Sequence, residues 1–309
     1  MIKSKLPLKT VSVHLFETDA HPFDVSRWKL IKSILEDTSF FKKRPVQIVA
    51  DPFLYVHHDW LYLFYEKLIY TGIGIIEMVK TNDLLYWTEP VTVLKRSTHL
   101  SYPCVFNHAD SILMIPETYQ EKNVQLLKAN QDLTEWSLEK VILHGDKYVD
   151  TSIILHDHVY YLFTTALRPN NEYELQLYFS NELYGEFEKH PKSPIAIGHS
   201  AGRCGGAIFE LDNKIYRPAQ ICEHYYGESL SIYRIKELTT TDYQEEIEID
   251  RLLSKQFRHG GHHLNMVKFN QKTIIATDAM NFLFNFWAFR DKVMKKLGMA
   301  DVKQSDSFS

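Results

Sequence analysis

A fixed phrase of apolar and polar positions recurs along this chain. Ala50-Asp51-Pro52-Phe53-Leu54-Tyr55-Val56 reads as a strand, His57-His58-Asp59 as a polar break, and Leu61-Tyr62-Leu63-Phe64-Tyr65-Glu66 as a second strand. The phrase returns from Tyr102 through a turn at Asn107–Asp110 to Glu117, and from Asp150 through His156-Asp157-His158 to Thr165. It returns again from Gly205 through Asp212-Asn213 to Gln220, and from His263 through Asn270-Gln271 to Asp278. Head and tail are 15 residues apart in all five copies, and the heads recur at intervals of 51, 48, 55 and 58. In each of the first four copies two more apolar runs follow, separated by polar turns such as Thr81-Asn82-Asp83 and Asn130-Gln131-Asp132. Four strands per unit with a period near 50 is the pattern of a propeller blade.

The expected fold is therefore all-β: a five-bladed β-propeller over residues 46–280. The fifth unit lacks a second hairpin, and an unpaired strand edge is a liability. Residues 8–16 alternate like a strand and are expected to close the ring. From Asp24 to Glu36 the apolar positions Trp28, Ile31 and Leu35 fall at helical spacing behind a capping Asp24, so residues 1–45 read as a closing strand plus a short N-terminal helix. Residues 281–309 read as an amphipathic helical tail, with Phe282, Phe284, Phe286, Trp287 and Phe289 followed by Arg290, Lys292, Lys295 and Lys296. That pattern suits a helix lying in a membrane interface or packed on the last blade.

Composition narrows the function. A chain of 309 residues can bury one large core, and a net charge of −4 offers no basic surface for nucleic acid. The three cysteines, Cys104, Cys204 and Cys222, show neither metal-site spacing nor the even count of a disulfide framework. The first residues lack a secretory signal's apolar run, and no stretch reaches the roughly 18 apolar residues of a spanning helix. A cytoplasmic protein, peripheral to the inner face of a membrane if the tail binds lipid, is the expectation. The 13% aromatic content suits strand cores and also sugar platforms.

The inner strand ends of a propeller meet at its central channel, so chemistry should gather there. The polar residues at these positions are Asp51, Glu66, His99, Tyr102, Glu117, Asp150, Arg203, Arg217, Gln220, His259, His262, His263, Asn265 and Asp278. Each taken singly has a structural explanation, such as turn capping or a pairing of Arg217 with Glu117. Their coincidence at equivalent repeat positions points to a site. His259 and His263 are four apart, but Gly260-Gly261 between them argues against a helical metal motif, and no cysteine stands near. Neither a metal nor a cofactor is expected.

These motifs resemble a known family. The Ala50–Phe53 strand head, the second strand and the Asp150 head look like the five-bladed propellers of glycoside hydrolase families 43 and 32. Ala50–Phe53, His99–Pro103, Val149–Thr151, Arg217–Gln220 and Tyr226-Gly227 are more similar to the N-terminal domain of plant glucosamine inositolphosphorylceramide transferases, and to related bacterial polysaccharide-biosynthesis domains. The resemblance covers about residues 45–280. In the hydrolase pattern the first Asp is base or nucleophile, the third-blade Asp tunes the acid, and a fourth-blade Glu is the acid. Asp51 and Asp150 match the first two, but Ala201–Gly206 holds no carboxylate, only Arg203. A phosphate leaving group needs no strong acid and gains from cationic clamps. The resemblance thus implies glycosyl transfer from a phosphorylated or nucleotide sugar to a glycan or lipid-linked acceptor. Asp51, Glu117 and Asp150 would be the catalytic groups, and Arg203, Arg217 and His263 would hold phosphate. A cytoplasmic glycoside hydrolase with Glu117 as acid, or a non-catalytic glycan-binding propeller, are the alternatives.

Overall fold

The computed structural model describes residues 8–35, 48–68, 72–170, 172–283, 290 and 293–294. Two strands, β1 (Leu8–Thr18) and β2 (Lys29–Ile34), precede the repeats. The first repeat supplies β3 (Ile48–His57), β4 (Trp60–Leu68), β5 (Gly74–Thr81) and β6 (Val91–Leu94). The second supplies β7 (Ser101–His108), β8 (Ser111–Glu117), β9 (Asn123–Ala129) and β10 (Trp136–His144). In the third, β11 (Tyr148–His156), β12 (Val159–Leu167) and β13 (Tyr173–Ser180) are followed by an outer partner split into β14 (Glu188–Lys189) and β15 (Ala196–Ile197). The fourth comprises β16 (Phe209–Leu211), β17 (Lys214–Ile221), β18 (Ser229–Leu238) and β19 (Tyr243–Ile249), and the last β20 (Leu264–Phe269) and β21 (Lys272–Leu283).

Within each repeat consecutive strands pair antiparallel, as in a propeller blade. The last hairpin gains its outer strands from the other end of the chain. β1 pairs with β21 from Leu8↔Leu283 to Thr18↔Thr273, and β2 pairs with β1. A single parallel bridge, Val11↔Ile48, joins this unit to the first repeat. β21 continues three residues past the boundary expected at 280.

The inner turns fall where the polar breaks do. Asp157-His158, Asp212-Asn213 and Asn270-Gln271 all have positive φ, the backbone of the two-residue turns that match strand twist. Central strands such as β4 and β8 are buried along most of their length, because each blade packs between two neighbours. Outer strands such as β19 keep half their side chains in solvent.

Segment 24–36 is not the expected helix. Asp24 does cap a turn, accepting the Ser26 N–H, but only a single 3-10 turn, Val25–Arg27, forms before β2 begins. Leu30 and Ile34 then pair with Phe16 and Val13 of β1, with Ile31 at the irregularity between them, and Trp28 is buried with its indole N–H on the Pro22 carbonyl. The exposed edge of β1 decides the matter: pairing there satisfies backbone groups that helical spacing alone could not predict. The C-terminal amphipathic helix expected over 281–309 lies, apart from Phe282, Arg290 and their few described neighbours, outside the described residues.

Candidate active site

Three inner strands carry the same local distortion. Ala50 pairs with Glu66 and Phe53 with Phe64; Ser101 with Glu117 and Cys104 with Ile115; Val149 with Thr165 and Ser152 with Phe163. In each, two residues on the inner strand oppose one on its partner. The bulge falls on the head residue: Asp51, Tyr102 and Asp150 sit at φ 51, 46 and 51. A non-glycine residue pays steric strain in this region, and bulges re-aim side chains beside functional sites.

The re-aimed groups meet. Tyr102 N–H donates to Asp51 Oδ2 at 3.3 Å, and Asp150 N–H donates to Glu117 Oε2 at 3.3 Å, so each head binds its neighbour's carboxylate across a blade junction. Arg203 Nε donates to Asp150 Oδ2 at 2.5 Å, and Gln220 Nε2 reaches the same oxygen at 3.1 Å. His262 stands with Nε2 3.3 Å from Asp51 Oδ1 and Nδ1 3.0 Å from Asp278 Oδ2, while His263 Nδ1 lies 3.6 Å from Asp51. His99 Nε2 faces Glu66 Oε1 at 3.4 Å, and its Nδ1 accepts the Gly74 N–H. Ten expected residues thus form one buried network. Its least covered side chains are His99 at 12% and Arg203 at 11% exposure.

Carboxylates outnumber cations here, and their proton affinities diverge accordingly. Burial opposes charge on Asp51, yet the hydrogen bond and charge of His262, with His263 and Arg203, outweigh it and hold Asp51 below the usual carboxylate range. Burial and the neighbouring Asp150 and Asp51 push Glu117 up to about 8, against the pull of Arg203. Burial, with Asp51 and Glu117, raises Glu66 well above its ordinary value. Burial also raises Asp150, despite Arg203. His262 resists burial because Asp278 and Asp51 flank it, which carries its pKa to about 10, whereas burial takes His263 down to about 4. At neutral pH one carboxylate is ionised and another, in the same cluster, holds a proton. That is the division of labour of a base and an acid.

Four expected residues serve the framework instead. Arg217 is wholly buried and forked onto Glu245 at 2.8 and 2.6 Å, with its guanidinium over the Tyr233 ring; its partner is Glu245, not the expected Glu117. The Tyr102 hydroxyl is 2.8 Å from Ser152 Oγ and 2.9 Å from the Gly206 N–H that donates to it, stapling three blades, while its backbone serves Asp51. Asn265 Oδ1 accepts the Leu54 N–H at 2.9 Å and ties the last repeat to the first. His259 stays at the rim, edge-on to Phe282.

Sequence reasoning missed Tyr173, whose ring lies 5.2 Å from the Arg203 guanidinium, and Tyr119, whose ring meets His99; it used Tyr226, 5.1 Å from the same guanidinium, only as a family motif and not as a site residue. It also missed Glu245, for which the only signal is that a buried arginine needs a partner. Asp51, His262 and Asp278 each bring a donor atom within 4.8 Å of the others. The two carboxylates flank the imidazole at its opposite nitrogens, Asp278 at Nδ1 and Asp51 at Nε2.

Comparison with known proteins identifies the family and the fold. The family described as glucosamine inositolphosphorylceramide transferase 1, N-terminal, matches residues 7–280. A rice (Oryza sativa subsp. japonica) glucosamine inositolphosphorylceramide transferase 1 is 35% identical over 209 residues, covering 65% of this chain and 28% of the relative. The Arabidopsis thaliana protein of that name is 33% identical over 247 residues, covering 77% and 31%. The chain therefore spans less than a third of the length of these relatives. Among solved structures, a family 43 glycoside hydrolase of Bacillus licheniformis superposes with a TM-score of 0.53 at 16% identity, covering 80% of this chain and 55% of that one. A Podospora anserina α-L-arabinofuranosidase gives 0.55 at 8%, covering 75% and 91%. At such identities these two likenesses establish the propeller fold alone.

Proposed function

The chain belongs to the family of the N-terminal domain of glucosamine inositolphosphorylceramide transferase 1, and from that premise we propose that its central site transfers a glycosyl group in glycolipid or surface-glycan assembly. One observation carries the reading: Asp51, Glu117 and Asp150 meet in a single buried cluster in which blade four presents Arg203, paired with Asp150, rather than a carboxylate. Asp51 would take the proton of the acceptor hydroxyl, Asp150 would hold Arg203 and tune Glu117, and Glu117 would supply or share a proton at the departing oxygen. The relatives, glucosamine inositolphosphorylceramide transferases, support an inositolphosphorylceramide-type glycolipid as the acceptor class.

For the donor we propose a phosphate-activated sugar contacting Arg203, which blade four presents where a hydrolase would place its acid. Arg203 would meet the phosphate beside Tyr173 and Tyr226, in competition with Asp150. Arg217 has no part in this, being forked on Glu245. The proposal extends to a five-bladed disc, supported by the five antiparallel runs of strands. It extends also to a cytoplasmic location with the tail on an anionic bilayer, to be tested by liposome sedimentation of the full chain against a truncation after Leu283. Glycoside hydrolysis is the second reading, favoured by the proton on Glu117, which a phosphate leaving group does not need.

One experiment separates them. Nucleotide sugars or pyrophosphate should raise the melting temperature by mass action on the folded state, and Arg203→Ala should remove that shift. Asp51→Asn should leave the shift intact and lower turnover roughly 10²–10⁴-fold, the range for a positioned base. No shift with any phosphorylated sugar, together with release of nitrophenol from 4-nitrophenyl glycosides, would establish hydrolysis instead.

A further inference from the structure

Five buried side-chain polar atoms without an aligned hydrogen bond cluster in one place: Asp51 Oδ1, Asp278 Oδ2, His262 Nδ1 and both ring nitrogens of His263. Only two others occur among the described residues, on Trp136 and Arg234. Concentrated loss of this kind asks for an explanation. We infer that His262, gripped from behind by Asp278, is the positioning residue that orients Asp51 and leaves one of its oxygens ready for a hydroxyl. The inference rests on the assignment of Asp51 as base.

The geometry is built in layers. Asp278 Oδ1 accepts two backbone N–H groups, of His262 at 2.7 Å and His263 at 3.1 Å, so the carboxylate is fixed before it meets a ring. Its Oδ2 then faces His262 Nδ1 at 3.0 Å, and the opposite nitrogen, Nε2, faces Asp51 Oδ1 at 3.3 Å. The Tyr226 ring lies 4.8 Å from the imidazole and limits its rotation. Two glycines make room: a Cβ on Gly261 would lie 2.1 Å from the Asp278 carbonyl oxygen, and one on Gly227 would lie 2.3 Å from Met280 Cε and 3.4 Å from His262 Nδ1.

Asp51 Oδ2 is anchored on the Tyr102 N–H, while Oδ1 faces the imidazole without aligned contact. Long or misaligned hydrogen bonds in a resting site commonly tighten once substrate arrives. An acceptor hydroxyl donating to Oδ1 would leave a proton there, and the adjacent imidazolium favours the anionic carboxylate until that moment. The arrangement follows triad logic, with a second carboxylate orienting the imidazole and the first doing the proton work. The low Asp51 and high His262 proton affinities agree with it. The charged and titratable groups facing this bridge from the packed strands are Asp51, Asp278, Glu66, Glu117, Asp150, Arg203, Tyr226, His14, His99, His263 and Cys222.

The test is nitrogen-15 NMR of histidine side chains in the full-length labelled protein, from pH 6 to 11. A doubly protonated His262 ring at pH 8 is expected, and Asp51→Asn should lower its midpoint by at least one pH unit with the melting temperature preserved. A reciprocal upward shift of the Asp51 carboxyl is expected in His262→Gln. A neutral His262 in the wild type at pH 7, or a midpoint indifferent to Asp51→Asn, would overturn the proposal. So would conversion of the ring to its neutral form by millimolar calcium chloride, which would make His262 a metal ligand. In 4-nitrophenyl glycoside assays, a loss of kcat with unchanged KM in His262→Gln is expected, and an unchanged kcat would overturn the positioning role. If no 4-nitrophenyl glycoside is turned over even by the wild type, that failure bears on the proposed function, while the NMR result judges the bridge by itself.

Discussion

Arg217 and Arg203 were equivalent on sequence grounds, and the fold treats them differently. Arg217 on β17 has its partner two strands away on β19: Glu245 takes both sides of its fork, and the Tyr243 hydroxyl donates to the same carboxylate at 2.6 Å. Arg203 shares Asp150 with a neighbourhood of Asp51, Glu66 and Glu117, where carboxylates outnumber cations. A buried charge balanced one to one is architecture. A buried charge within an unbalanced group shifts the proton affinities of all its neighbours, and that is where acid and base properties arise.

The largest effect should come from breaking the balanced pair. Arg217→Met strands Glu245 and should cost about 3–5 kcal/mol of unfolding free energy, whereas Arg217→Met with Glu245→Leu should return most of it, since a well-packed apolar pair often replaces a buried ion pair. Chemical denaturation measures both. A mild single mutant would show that the pair carries no such weight.

The unbalanced cluster should reveal itself through pH. Glu117 binds its proton up to about 8 when folded and to 4.5 when free, so the native state holds the extra proton between those values. Its contribution is fully present below 4.5 and is lost as pH rises to about 8, at up to about 1.4 kcal/mol per pH unit. Glu117→Gln should flatten the melting temperature profile between pH 5 and 8. An unchanged slope would mean that Glu117 ionises normally.

A smaller effect sharpens the boundary between site and scaffold. Tyr102→Phe removes the hydroxyl that accepts the buried Gly206 N–H, at a cost of about 1–3 kcal/mol, while leaving the backbone N–H on Asp51 in place. Stability should fall in differential scanning calorimetry with turnover per folded molecule preserved. Lost turnover at unchanged stability would move Tyr102 from the staple into the chemistry.

How much could be read in advance follows from what repeats. The 15-residue phrases located every inner hairpin, its turn and the bulged heads Asp51 and Asp150, because strand alternation and turn chemistry are local. The same positions delivered Glu117, Arg203, Gln220, His262 and Asp278 to one place, because equivalent strand ends of a propeller converge. Segment 24–36 was misread for the converse reason: its helical spacing was real, but an open strand edge lay beside it.

What the sequence could not contain is the choice of partner. Nothing near Arg217 in the chain names Glu245, 28 residues on, and nothing in Gly260-Gly261-His262-His263 says which histidine will face Asp51 and which will be left neutral. The repeat period by itself determined the architecture and the address of the site. Pairing, burial and proton affinity depend on distances between strands far apart in the chain, and electrostatic energies in a buried cluster change steeply over such distances, so only the tertiary structure decided them.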